Sequence, residues 1–190
     1  MKWKKLLIKF QNLFSIKMLK KISENQITGV KLIKPDVTKK YYHIASDTDI
    51  YATIDLIHGQ GSLARLETPE GSYTIKRQGI FIPYINVRKE NDETDIAELF
   101  LDICGKSSIQ LDGSALSFKP LALWKNHWGW VNEKNRAVMK FMLTISGQER
   151  GNIEFSKDFF YFQNLELLAA LGGYLLLQLE DELTRLSENK

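Results

Sequence analysis

Cysteine is nearly missing from this chain. The single Cys104 excludes an intramolecular disulfide and any metal site built from several cysteines, and it points to a reducing, cytoplasmic compartment. Cys104 itself, inside an apolar strand, reads as a small core residue rather than a nucleophile. Catalytic spacing is missing too. The three histidines, His43, His58 and His127, form no H-x-x-x-H pair, and neither a G-x-S-x-G elbow nor a phosphate-binding P-loop occurs. Glu90, Asp92, Glu93 and Asp95 have the oxygens that calcium takes, but not the glycine-centred loop spacing, so they read as a solvated hairpin tip. No catalytic residue, metal ligand or cofactor is assigned on these grounds. A membrane-spanning run is also lacking. The longest apolar stretch, Leu165 to Leu179, reaches only about 22 Å at ~1.5 Å per residue, against a bilayer core about 30 Å thick.

The last absence is of acidic residues from Lys2 to Ile22, a stretch with seven lysines. Residues 1–40 hold 11 lysines against Glu24 and Asp36, a net +9, while residues 41–190 hold 15 basic and 21 acidic side chains, a net −6. Trp3, Leu6, Leu7, Phe10, Leu13 and Phe14 recur at helical spacing, so residues 1–23 read as a basic amphipathic helix ahead of the main domain, residues 24–190. A secretory signal is the competing reading. Against it, Lys9 and Gln11 interrupt the would-be apolar core, and no small-residue cleavage site follows. Lys2, Trp3, Lys4, Lys5, Lys9, Phe10, Lys17, Lys20 and Lys21 are the candidate contacts with an anionic phospholipid surface or with a protein partner. Each lysine near an anionic leaflet contributes about 1 kcal/mol. The same apolar face could instead pack on the main domain.

After Ser23-Glu24-Asn25 the hydrophobic period changes from 3.6 to 2. Ile50, Ala52, Ile54 and Leu56 alternate with Tyr51, Thr53 and Asp55. Turn signals such as Pro69-Glu70-Gly71 and Asp112-Gly113 then separate one short strand from the next. Asp95 to Cys104 could start as a capped helix, but the alternation of Ala97, Leu99, Leu101 and Ile103 favours a strand. Ten to twelve strands with no helix between them make an antiparallel sheet, and closure into a barrel is what removes its edges. One helix follows, residues 163–188. Its run from Leu165 to Leu179 is apolar on every side, so it belongs inside the barrel, with Glu166, Gln178 and Glu180-Asp181-Glu182 marking the ends of the buried length. Gly172-Gly173 in mid-helix predicts a bulky wall residue at close range, for which a tryptophan of the Trp124 to Trp130 segment is the candidate. The fold class is therefore mainly β: a closed antiparallel barrel of about twelve strands around a buried C-terminal helix, plus the N-terminal amphipathic helix.

Several short phrases carry a resemblance: Gly61-Ser62-Leu63-Ala64-Arg65-Leu66-Glu67, Tyr73-Thr74-Ile75-Lys76-Arg77-Gln78-Gly79, Leu111-Asp112-Gly113, Trp128-Gly129-Trp130-Val131 and Leu171-Gly172-Gly173-Tyr174-Leu175-Leu176. Over about residues 45–180 the chain resembles the tubby C-terminal-like superfamily. Within it, the chain is most similar to uncharacterised bacterial members and to the LURP-one-related and phospholipid-scramblase proteins. The resemblance implies a 12-stranded barrel threaded by its C-terminal helix. Animal tubby proteins bind phosphoinositide head groups through a cationic pocket, whose positions find no residue-by-residue match here, and the scramblase calcium segment finds none either.

Three classes of function follow. The favoured one is a non-enzymatic module that associates peripherally with anionic membrane through Lys2 to Lys21. The alternative is a protein-interaction scaffold whose N-terminal helix binds a partner. A carrier of a small apolar ligand is disfavoured, because the helix already fills the space a carrier keeps for its ligand. Nucleic acid is disfavoured because the body is net −6 and its aromatics are not interleaved with basic residues. Trp124, Trp128 and Trp130 could form an aromatic platform, but Trp128 and Trp130 share one strand face, where a barrel wall wants large residues.

Overall fold

The computed structural model describes residues 18–23, 29–57, 63–79, 84–101, 107–111, 113–122, 126–157 and 162–188. Twelve strands run in order: β1 (Val30–Ile33), β2 (Tyr41–Ala45), β3 (Ile50–Leu56), β4 (Leu63–Thr68), β5 (Gly71–Gln78), β6 (Tyr84–Lys89), β7 (Asp95–Leu101), β8 (Ser107–Leu111), β9 (Ser114–Pro120), β10 (His127–Asn132), β11 (Ala137–Ser146) and β12 (Glu149–Phe155). One helix follows, α1 (Leu165–Glu188). Every strand pairs antiparallel with its sequence neighbours, and β1 pairs with β12, for example Val30 with Ile153, to close the barrel.

The period-2 pattern is what makes this a barrel with one dry face. Ala64 and Leu66 on β4, Tyr73 and Ile75 on β5, and Ile85 and Val87 on β6 are buried at every second position, whereas β3 buries Tyr51 and Thr53 as well as Ala52, Ile54 and Leu56. The segment from Asp95 folds as strand β7, as its alternation predicts, with Ala97 and Leu99 inside. Among the described residues, β7 and β8 share two registered pairs, Phe100 with Ser108 and Leu101 with Ser107, while β8 and β9 share five.

α1 fills the lumen. Leu167, Leu168, Ala169, Ala170, Leu171, Tyr174 and Leu176 are buried on all sides of it. Packing also answers the question posed by the glycine pair. A Cβ on Gly172 would overlap the Phe141 ring, 2.6 Å from Cε2, and would lie 2.9 Å from Trp130 Nε1. Trp130 is fully buried, donates its indole N–H to the Leu168 carbonyl of α1 at 3.0 Å, and rests on Phe118 at 5.0 Å. Gly172 thus admits two wall residues, Phe141 first and Trp130 beside it, while Gly173 faces the aliphatic side chains of Ile54, Ile44 and Leu32. Trp128 packs against the same cluster, stacked on Phe118 at 5.7 Å, so both tryptophans of β10 serve the core, while Trp124 lies outside the described residues.

The two barrel ends differ. At one end α1 begins, together with the β2–β3, β4–β5 and β6–β7 turns. At the other, α1 leaves through an ionic collar, Arg150 to Glu180 at 3.2 Å and Lys40 to Asp181 at 3.9 Å, which marks the end of the buried length where the acidic triplet predicts it. Gln178 and Glu166 do not mark wet ends. They are only 7% and 3% exposed, so burial runs over both.

The helix expected over residues 1–23 lies outside the described residues as far as residue 17. Residues 18–23, which are described, are not helical. The Lys20 N–H bonds across to the Ile50 carbonyl at 2.9 Å, so this backbone spends its hydrogen bond on the barrel and not on a helical turn.

Candidate functional site

Residues 18–23 form a strap over the end of the barrel where α1 begins. Three acids from three different elements receive it. The first is Asp49 in the β2–β3 turn, which takes the Lys20 ammonium at 2.6 Å. This turn is tied together by its own bonds: the Thr48 hydroxyl donates to Asp49 Oδ2 at 2.9 Å, the Ser46 N–H donates to the Asp49 carbonyl at 2.9 Å, and Tyr51 Oη donates to Ser46 Oγ at 3.0 Å. Asp49 is thus a fixed acceptor. The second acid is Glu70 in the β4–β5 turn, paired with Lys21. Its amide is held by Thr68 Oγ1 at 3.2 Å, and the turn is completed by Gly71 with φ of 140°, a backbone shape that glycine alone adopts easily.

The third acid is Glu166, in the first turn of α1. Its Oε1 accepts the Ile22 N–H at 2.5 Å, and the Ile22 side chain is buried in the core. A carboxylate at a helix N-terminus has the favourable end of the helix dipole, but this one is shut off from water. Burial raises its pKa, partly offset by the hydrogen bonds from the Ile22 amide and from its own amide. The two outer acids act differently. Asp49 raises the pKa of Lys20 chiefly through its hydrogen bond, Glu70 does the same for Lys21, and Lys21 in return lowers Glu70. Lys20 and Lys21 remain 61% and 68% exposed, so each ammonium is pinned on one side and open on the other.

Of the candidate lipid- or partner-binding residues, Lys20 and Lys21 lie in the strap. Lys2, Trp3, Lys4, Lys5, Lys9, Phe10 and Lys17 lie outside the described residues. Met18, where the strap begins, is 82% exposed. A groove of about 700 Å³ runs beside it along the outer wall, with Leu19, Tyr41, His43, Thr53 and Glu67 in its lining. Tyr41 and His43 meet edge to face there at 5.0 Å.

Sequence reasoning missed Asp49 and Glu70 as partners of the strap, and Ile22 as its buried anchor. The one legible signal was Glu166, a single acid at the head of an otherwise apolar run, whose burial needs a donor from elsewhere in the chain. The acidic stretch from Glu90 to Asp95 is the β6–β7 turn. There Asp92 accepts the Thr94 N–H at 3.0 Å, and Asp95 pairs with Arg88 at 2.8 Å, so these carboxylates serve the hairpin. No three His, Cys, Asp or Glu side chains among the described residues group as metal ligands would, and no helix among them is long and apolar enough to cross a membrane.

The class defined by this geometry is a twelve-stranded antiparallel barrel plugged by its own C-terminal helix and strapped across one end by a basic segment. No protein-family model, curated protein or solved structure matches the chain.

Proposed function

We propose that this protein is a non-enzymatic binding module that docks peripherally on an anionic membrane surface through its basic N-terminal segment, at the cytoplasmic face. The observation that carries the reading is the separation of charge. Seven lysines and no acid occur from Lys2 to Ile22, against a body of net −6 from residue 41 onward. The strap adds two lysines from the same basic segment, Lys20 and Lys21, whose side chains are still open to solvent at the barrel end. The filled lumen favours a surface role over carriage of an apolar ligand, because α1 occupies the space where such a ligand would sit. The resemblance to the tubby C-terminal-like superfamily, whose animal members bind phosphoinositide head groups, points the same way at the level of fold.

The test is co-sedimentation with neutral and with anionic liposomes, comparing the full chain with one starting at Met18. That cut removes Lys2, Lys4, Lys5, Lys9 and Lys17 and leaves the strap in place. At ~1 kcal/mol per lysine, even half of the total corresponds to a roughly seventyfold change in partitioning. Binding should weaken as salt rises, since exposed charges are screened within about 8 Å at physiological ionic strength. Equal sedimentation of the two chains, or no preference for anionic lipid, rejects the reading. The scaffold alternative would then take its place.

A further inference from the structure

We propose that Asp49 and Glu70 act as an intramolecular brake on membrane docking: they hold Lys20 and Lys21, so an anionic phospholipid surface must compete with the barrel for these lysines, and the strap lifts away through Lys20 and Lys21 but is stopped at Ile22. The inference rests on the membrane reading above and concerns its regulation.

The anchors of the strap fall into two kinds. Lys20 and Lys21 are exchangeable: each side chain is more than half exposed, and a lipid phosphate offers the same charge-assisted acceptor as the carboxylate it replaces. The acids cannot follow their lysines. Asp49 is 10% exposed and tied by Thr48 within its turn, and Glu70 sits in the tight β4–β5 turn. Once their lysines are released, they remain as negative charges at the barrel end, which opposes docking on an anionic surface. The Lys20 amide, now bonded to the Ile50 carbonyl, would pass to water at little cost, because both groups lie at the barrel rim.

Ile22 is the other kind of anchor. Its side chain is part of the core and its N–H is the donor to the buried Glu166. Peeling past it would expose an apolar side chain and strand a buried carboxylate without its donor, both of which are unfavourable. The barrel therefore has a built-in stop between residues 21 and 22. Docking should consequently need a minimum surface charge, set by two acids that belong to no ligand pocket.

The experiment uses the full chain with phosphatidylcholine vesicles containing increasing phosphatidylserine. The test variant is Asp49→Asn with Glu70→Gln. The control, Glu93→Gln with Glu133→Gln, removes the same charge from exposed turns at the same barrel end. With each freed lysine acting near the leaflet, the test pair should bind about tenfold or more tightly at a given phosphatidylserine content, and the control pair much less so. Each single substitution should carry about half of the shift on a logarithmic scale, which keeps the test readable if the double variant unfolds. Amide exchange on vesicles should rise at Lys20 and stay slow at Ile22. Equal shifts in test and control pairs overturn the brake while leaving membrane docking intact. Exchange that rises equally at Lys20 and Ile22 overturns the stop. Failure of every variant to bind anionic vesicles overturns the membrane reading and the brake with it.

Discussion

Gly172 and Glu166 show how much single residues contribute here. Alanine ordinarily gains about 1 kcal/mol over glycine within a helix. At Gly172 the added methyl meets the Phe141 ring and the indole of Trp130, and neither can swing away: Trp130 is bonded to Leu168, and Phe141 packs edge-on to Phe118 at 5.7 Å. Overpacking of this kind costs about 1–3 kcal/mol, so Gly172→Ala should lower stability in urea denaturation. At Gly173 the nearest atom is Ile54 Cδ1 at 3.0 Å, the far end of a flexible side chain, and Gly173→Ala should stay within about 1 kcal/mol of wild type. For Glu166 the sign follows from its raised pKa. Below the ordinary value of 4.5 the group is protonated whether the chain is folded or unfolded, and no penalty exists. As pH rises from there through the higher folded-state value, the native protein holds the proton longer, so Glu166 makes stability fall with pH and then level off. Glu166→Gln keeps an acceptor for the Ile22 N–H without the buried charge. Its melting temperature should match wild type near pH 4 and exceed it at pH 7.5; melts that show no pH-dependent difference between the two proteins would contradict this.

Among the elements, α1 and the β7–β8 seam have opposite standing. α1 has no polar side within the lumen, so Leu171→Asp buries a carboxylate with no partner, at a cost of several kcal/mol that a domain stable by about 5–15 kcal/mol can scarcely absorb. Insoluble or non-cooperatively melting protein is the expected result. The seam has two registered pairs where neighbouring ladders have five. Native-state amide exchange should therefore be faster over Asp95–Leu99 and Ile109–Leu111 than over β3, β4 and β5, because opening there breaks fewer of the ladder pairs among the described residues.

For the molecule as a whole, the strap decides where the basic segment can be cut. A chain starting at Met18 keeps Lys20, Lys21 and Ile22 on Asp49, Glu70 and Glu166, and should melt as wild type does. A chain starting at Glu24 loses the burial of Ile22, about 1.5–3 kcal/mol, and the donor to the Glu166 carboxylate, about 1–3 kcal/mol more, so a loss of about 2.5–6 kcal/mol is expected in chemical denaturation. Indistinguishable denaturation of the two truncated chains would show that the strap adds nothing to the barrel.

The alternation of Ala52, Ile54 and Leu56, and of Ala97 and Leu99, was enough by itself to determine strands, and the all-round apolar surface of α1 determined an enclosed helix, because both are local periodicities written in consecutive residues. Ten to twelve strands without intervening helices then left closure as the way to remove edges, and Gly172-Gly173 foretold a large neighbour, which at Gly172 is the Phe141 ring with Trp130 beside it. The partners of the strap were decided only in three dimensions. Lys20 and Asp49 lie 29 residues apart, Lys21 and Glu70 lie 49 apart, and Ile22 and Glu166 lie 144 apart. A lysine that looks solvated in the sequence can pair with any of the acids in the body, and the choice depends on which turns the barrel's closure brings to the end where α1 begins. The burial of Glu166 was hidden for the same reason: the donor that meets its carboxylate, the Ile22 N–H, comes from the other end of the chain.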